Sequence, residues 1–315
     1  MSTPYRLVGV SLDTEITSVL LPTKSVNVSP GIQEMVSNVA SSVYDNFTAI
    51  SQLDLSISFT TDDLSTIFDT IDIIEGMSLS STNGVSVWFS KSLSQGTGTP
   101  TRFHQLTDSI RLRMVSGLGY VSSFSGSGNE PIEANVEFHG AWLDGNYPMI
   151  IETGTAPDAL PCVDDVYVVG YFEGVPVDSI SYESGVDLLK YYTGGLHYPS
   201  FVGYNSITPT FNVSASDPAL LDEVKDPITN EPFKPIVNGS IELRRVKKNG
   251  TRYPISASEH ARIDIFDAMV RMESAEGGMG SPGTFNINIK PVLPCGASNS
   301  IFDVTTGVTI GGYGA

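Results

Sequence analysis

The stretch "NGVSVWFSKSLSQGTGTPTRF", Asn83 to Phe103, has a counterpart further along the chain in "NGSIELRRVKKNGTRY", Asn238 to Tyr253. Each opens on Asn-Gly, alternates apolar and polar residues, passes a turn-forming tip and closes on Thr, Arg and an aromatic. Sliding the whole chain over itself extends the agreement. At a constant shift of 154, Gly31 meets Gly185, Ile32 meets Val186, Met35 meets Leu189 and Phe47 meets Phe201. Leu53 meets Ile207, Ile57 meets Phe211, Phe59 meets Val213, Asp63 meets Asp217 and Ile67 meets Leu221 at the same shift. The shift is 155 at Asn83-Gly84 and drops to 150 after the tip; it settles near 151, where Asn135-Val136 meets Asn286-Ile287. One deletion of five residues in a Gly/Ser loop accounts for the drop, and loop tips tolerate such changes. The ordered matches point to two copies of one unit, residues 1–155 and 156–315, joined through "TGTAPDALPC", Thr153 to Cys162.

Composition agrees with a chain of short strands. At 315 residues and 33.7 kDa there is room for two domains with their own cores. With 40% hydrophobic residues, 30 Gly and 19 Pro, the chain is apolar enough to fold and too rich in turn formers to be mostly helix. Within each copy, Ser29-Pro30 followed by Ile32, Met35, Val39 and Val43 predicts a helix over about residues 30–45. Its counterpart is "SGVDLLKYY", Ser184 to Tyr192. Leu53, Leu55, Ile57 and Phe59, alternating with polar residues, predict a half-buried strand, as do Ile207, Phe211 and Val213. "TTDDLSTIFDTI" and "SASDPALLDEV" read as capped helical turns. Strand pairs are expected at Val85–Lys91 with Arg102–Leu106 and at Ile241–Lys247 with Arg252–Ser256. A further pair closes each copy, Ile110–Phe124 with Ile132–Phe138 and Ala261–Met272 with Thr284–Val292. The expected fold is mainly β (α+β): two tandem antiparallel β-sandwich or half-barrel domains, each with a short packed helix.

The chain has 17 basic and 35 acidic residues, a net charge of −18, which repels nucleic acid and anionic membranes. Solubility alone also accounts for such acidity. Five of the basic residues, Arg244, Arg245, Lys247, Lys248 and Arg252, share one hairpin, and the two halves carry net charges of −10 and −8. A basic finger on an acidic body suits docking onto a neighbouring copy, and equally suits protection of an exposed edge. Cys162 and Cys295 are the only cysteines and lack metal-binding spacing, so buried free thiols in a reducing compartment are expected. No secretory leader is visible in "MSTPYRLVGVSLDTE" and no apolar run reaches the ~18 residues of a spanning helix. Synthesis in the cytoplasm is expected. Sequons at Asn27, Asn46, Asn212, Asn238 and Asn249 then carry no meaning.

Chemistry finds little support. The G-x-G-x-x-G at Gly278–Gly283 contains Pro282 and precedes the alternating "TFNINIK", so it reads as a hairpin tip and not as a dinucleotide loop. His104, His139, His197 and His260 form no zinc-type spacing, and no G-x-S-x-G elbow occurs. The acidic sets Asp62, Asp63, Asp69, Asp72, Glu75 and Asp217, Asp222, Glu223, Asp226 lack the spacing of a calcium loop and suit helix capping. No catalytic, cofactor or metal site is expected, and the chain reads as a non-enzyme. Trp88, Trp142, Tyr191, Tyr192 and Tyr198 leave open an alternative, a tandem carbohydrate-binding or adhesin module.

Three segments carry a resemblance. They are "GYVSSFSGSGNEPIEANVEFHGAW", Gly119 to Trp142; "GTAPDALPCVDDVYVVG", Gly154 to Gly170; and "YNSITPTFNVSASDP", Tyr204 to Pro218. In these, and in its duplicated pattern over nearly its whole length, the chain resembles the major tail tube proteins of long-tailed bacteriophages. The resemblance implies rings of six domains whose inner strands join into one barrel around a DNA channel. A two-copy member implies a homotrimer ring, stacked into a virion tail tube, with tape measure, terminator and distal tail proteins as partners at its ends. Asp54, Ser56, Ser58, Asn286 and Asn288 are then candidates for the lumen wall, and the tips Ser90–Thr101 and Leu20–Ser29 for contact with the next ring. No appended C-terminal immunoglobulin-like module is visible in "TTGVTIGGYGA".

Overall fold

The computed structural model describes residues 5–13, 18–37, 47–92, 104–143, 145–156, 164–236, 239–277, 283–292 and 301–310. Cys162, Cys295, the tip at 93–103 and most of the expected domain junction lie outside them. The first half contains β1 (Tyr5–Asp13), β2 (Ser18–Leu21), β3 (Thr23–Ser29), β4 (Ile32–Ser37), β5 (Phe47–Leu53) and β6 (Ser56–Thr61). Helix α1 (Leu64–Thr70), β7 (Met77–Leu79), β8 (Gly84–Ser92), β9 (His104–Met114), β10 (Gly117–Ser127), β11 (Glu133–Gly140) and β12 (Met149–Gly154) follow. The second half begins with β13 (Asp165–Phe172), β14 (Val175–Pro176), β15 (Ser179–Glu183), β16 (Asp187–Tyr191), β17 (Phe201–Ser206) and β18 (Thr210–Ala215). It continues through α2 (Ala219–Val224), β19 (Phe233–Ile236), β20 (Gly239–Lys247), β21 (His260–Ile265), β22 (Ala268–Glu276), β23 (Thr284–Pro291) and β24 (Phe302–Val308).

These strands form antiparallel sheets. Two five-stranded sheets run β12-β9-β8-β1-β2 and β14-β13-β20-β21-β24. Between the halves runs one ten-stranded sheet, β19-β22-β23-β18-β15-β10-β11-β6-β3, with β7 also on β10. Two small hairpins, β4-β5 and β16-β17, complete the fold.

Strand order and register recur from half to half. In the large sheet β7-β10-β11-β6-β3 has the same sequence of neighbours as β19-β22-β23-β18-β15. Val136 faces Phe59 as Ile287 faces Val213, and Gly117 faces Gly140 as Ala268 faces Pro291. A bulge falls between Val121 and Ser123 on β10, and another between Met272 and Ser274 on β22, 151 residues later. Bulges reset which face a side chain points to, so this shared irregularity keeps the two polar faces in phase.

Burial follows the alternation. Ile57, Phe59, Val136, Phe138, Phe211, Val213, Ile287 and Ile289 are buried, while the residues between them face the other side of the sheet. One apolar cluster runs through both halves. Where the halves meet, Phe124 stacks on Tyr182 with ring centres 4.8 Å apart, and Phe211 and Phe302 pack around that pair. Each fully buried ring of this kind contributes about 1.5–3 kcal/mol. Helix α1 is capped by the Asp63 carboxylate, which accepts from the Thr66 amide, and Phe68 carries it against Phe124 and Tyr167. Asp217 likewise accepts from the Ala219 amide at α2. Both expected helical turns are therefore present, α1 capped by Asp63 and α2 with Pro218 at its N-cap and no side-chain cap bond.

Three expectations need correction. The helix expected over residues 30–45 is not formed where the segment is described: Ile32–Ser37 is strand β4, paired with β5. Its counterpart, Ser184 to Tyr192, contains strand β16. Gly31 at φ +51 and Gly185 at φ +56 turn the chain sharply before each hairpin, each close to a backbone carbonyl across the turn. Apolar residues three and four apart suited a helix, yet these short segments gain more by pairing with the apolar strand that follows. The expected partner of Ile241–Lys247 is also wrong. β20 pairs with β21 and β13, and Arg252–Ser256 contributes only the bridge Val246↔Arg252. Pro254 has no N–H for a ladder, and buried His260 bonds its carbonyl while accepting from the Arg245 amide. Finally, Ile110–Phe124 and Ala261–Met272 are each two strands. The first breaks at Val115-Ser116, just before Gly117 with its φ of +135, and the second at Phe266-Asp267.

Candidate functional site

The polar face of the ten-stranded sheet is the most distinctive surface of the molecule. On its first-half strands a line of side-chain hydrogen bonds crosses four strands: Ser25 Oγ donates to Thr60 Oγ1 (3.0 Å), Thr60 Oγ1 to Asn135 Oδ1 (2.8 Å), and Asn135 Nδ2 to Ser123 Oγ (2.9 Å). The same positions in the second half hold Ser179, Ser214, Asn286 and Ser274. Ser179 and Ser214 hydroxyls lie 2.6 Å apart, and Asn286 Nδ2 donates to Ser274 Oγ at 2.8 Å. Beside this line, Asn288 Nδ2 donates to Asn212 Oδ1 (2.8 Å) and Asn212 Nδ2 to Ser181 Oγ (3.4 Å).

Two grooves lie along this face. Ser125, Ser181, Asn212, Ser214, Glu273 and Asn286 are among the residues lining one, and Asn27, Ser58, Thr60, Asn135 and Glu137 among those lining the other. Neither is lined by lysine or arginine among the described residues. Within the grooves, hydroxyls, amides and a few carboxylates leave no cation to hold a polyanion; farther along the same face stand Lys290 on β23 and Arg271 on β22, the latter 3.7 Å from Glu273.

The sequence candidates fall as follows. Ser56 and Ser58 alternate with buried Ile57 and Phe59, and Asn286 and Asn288 with buried Ile287 and Ile289, so all four share the polar face. Asp54, just before β6, is occupied: Lys190 Nζ from the second half sits 2.7 and 2.6 Å from its two oxygens. Lys190 also reaches His139 Nδ1 at 3.2 Å, and His139 Nε2 lies 3.6 Å from Glu137. Pairing with His139, opposed by burial and reinforced by Lys190, lowers the Asp54 carboxyl to about 2. Burial works against a charged His139, but Asp54 and Glu137 outweigh it and raise its pKa. Glu137, in turn, is lowered chiefly by His139.

Most of the basic hairpin is engaged within the chain. Arg245 reaches Asp165 and Glu259, both at 3.3 Å, Lys248 reaches Asp62 at 3.4 Å, and Arg252 donates to Asn129 at 2.5 Å. Arg244 donates to the Tyr253 carbonyl, and Lys247 lies over the Tyr253 ring. Lys248 and Arg252 thus bind the second half to the first. Another buried charge sits on the first outer sheet, where Asp13 accepts from Ser86 and Arg111, with Arg111 also stacked over Trp88.

No protein-family model and no curated protein matches the chain. Among the described residues no three His, Cys, Asp or Glu side chains converge as metal ligands. No described helix is long and apolar enough to cross a membrane. The aromatic candidates are spread out: Trp88 is buried, while Trp142 packs against Tyr147 and Tyr198 where the hairpin of the second half meets the first. Sequence reasoning missed Ser25, Thr60, Ser123, Ser179, Ser214 and Ser274. The signal was the same shift of 154 and 151, which holds for these polar residues as it does for the apolar ones.

Proposed function

We propose that the chain is a duplicated structural subunit of a phage tail tube, three copies closing into a ring of six halves around a channel for DNA. The observation that carries this reading is the hydroxyl–amide line Ser25-Thr60-Asn135-Ser123, its positions filled again by Ser179, Ser214, Asn286 and Ser274, on one grooved face of a sheet whose two ends pair with no further strand among the described residues. A sheet whose margins are uncovered gains by closing on further strands. Grooves lined by hydroxyls, amides and carboxylates without cations let duplex DNA pass, because phosphates spaced about 1.7 Å apart along the axis find nothing to bind there. The acidic net charge of −18 adds repulsion over a Debye length of ~8 Å. In this reading the rings stack through their rims, and tape measure, terminator and distal tail proteins meet the ends of the tube.

Negative-stain microscopy of the purified protein tests it. Three-lobed rings or hollow tubes are expected. A species that remains a monomer at high protein concentration and in crowding agents removes the proposal.

A further inference from the structure

We infer that the seam between β10 and β15 inside the chain is the pattern for a second seam between chains, in which β22 of one copy pairs with β3 of the next. The inference rests on the ring proposal for the identity of the partner, a second copy of this chain, and names the contact that would close the ring.

The register follows from the internal seam. There β7 covers only Gly117–Gly119 of β10, which leaves Ser123–Ser127 to pair antiparallel with β15, Ser123 facing Glu183 and Ser125 facing Ser181. On the second half β19 covers Ala268–Arg271 of β22, and no strand among the described residues pairs with that edge from Ser274 onward. β3, the counterpart of β15, ends the sheet at the opposite margin. Carrying the shifts of 151 and 154 across places Ser274 opposite Ser29, Ala275 opposite Val28 and Glu276 opposite Asn27 of the next copy.

Apolar exposure supplies an independent argument. The internal seam is roofed by the β16-β17 hairpin, whose Val202, Leu188 and Tyr204 pack on Leu118 and Ala141 of the first half. The counterparts of Leu118 and Ala141 are Met269 and Val292, which stand 41% and 50% exposed. The counterpart of Tyr204 on the β4-β5 hairpin is Ile50, 44% exposed. Both hairpins even share a bulge, between Gln33 and Glu34 in one and between Asp187 and Leu188 in the other. Leu188 and Val202 correspond to Glu34 and Thr48, so the apolar counterparts left bare at the outer seam are Met269, Val292 and Ile50, which one contact between copies would cover.

Cysteine cross-linking reads the register. In a chain carrying Cys162→Ser and Cys295→Ser, the pair Glu276→Cys with Asn27→Cys puts thiols on directly opposed residues, about 4.5–5.5 Å apart at Cα and within disulfide reach. The pair Glu276→Cys with Ser25→Cys is offset by two residues, at about 7–8 Å. Under mild oxidation the aligned pair is expected to give covalent multimers on a non-reducing gel at least tenfold more abundantly than the offset pair. Hydrogen exchange of the unmodified chain provides a readout free of substitutions, with slowed amides expected at 25–29 and 274–277 upon assembly. Rings that form with no preference for the aligned pair and no protection in both segments overturn the seam and leave the tube reading standing. Aligned cross-links in open chains without rings support the seam and remove the tube. A chain that never self-associates removes both.

Discussion

Asp54 shows how one side chain can be committed to holding two halves of a molecule together. Its carboxylate meets Lys190 from the other half and His139 from its own, and its pKa falls to about 2 from an ordinary 3.8. A depressed carboxyl contributes stability that is complete above the unfolded value and is lost as pH falls through the folded one. The contribution is therefore present above about pH 4 and disappears toward pH 2. Asp54 keeps about a third of its side chain in water, so screening limits the effect to about 1 kcal/mol. Melting temperature followed from pH 5 to pH 2 is expected to fall more steeply for the unmodified chain than for Asp54→Asn, and parallel curves would count against the assignment. In the sequence Asp54 is a candidate for the lumen wall only through the resemblance, and alternation groups it with Ser56 and Ser58 on one side of the strand. Alternation does not say what lies over that residue. Lys190 is 136 residues away, and only the packing of the second hairpin brings it there.

The strands were legible wherever a half-buried sheet imposed period two, as at Ile57 and Phe59 or Ile287 and Ile289, and the two helices wherever an Asp preceded a short apolar run. Hairpins β4-β5 and β16-β17 were not. Their apolar spacing fits either period, and the deciding residue is a single glycine before each of them. Gly185 holds φ +56, and a Cβ there would stand 2.4 Å from the Thr208 carbonyl oxygen. Gly185→Ala is expected to destabilise the chain by about 1–3 kcal/mol, through the left-handed backbone and the clash together. Denaturant unfolding measures this. Exchange at Leu188 and Tyr204 amides should quicken as the hairpin lifts from Leu118, and an unchanged transition would show that the turn relaxes without cost. Strand partners were the least legible element: Pro254 and His260 together send β20 to a strand beyond the near one, through a side-chain contact that no local pattern displays.

Taken whole, the molecule is an acidic β-sheet structure whose broadest sheet belongs to both halves. If its polar face lines a channel, that face should be sensitive to charge of the wrong sign. Ser58→Arg points a guanidinium from β6 into the groove lined by Asn27, Asn135 and Glu137. Assembled tubes of this variant are expected to retain duplex DNA at 50 mM salt and release it by 200 mM, as counterion release requires, whereas unmodified tubes retain none. Assembled variant tubes that ignore DNA at both salt concentrations would place this face away from the passage. The recurrence of strand order and register from half to half follows the shifts of 154 and 151 that the apolar positions display in the sequence. The bond between the halves was not readable there, since it depends on the residues that differ between copies: Lys190 and Asp54 have Val36 and Thr208 in the corresponding places.

The β10–β15 junction has a kinetic consequence. In any closed assembly of n such chains there are 2n junctions, and half of them form within a chain, without collision. A ring of 2n separate units would need 2n−1 encounters where n such chains need n−1. The concentration at which nucleation begins is correspondingly lower, and intermediates with unpaired strands are fewer and shorter-lived.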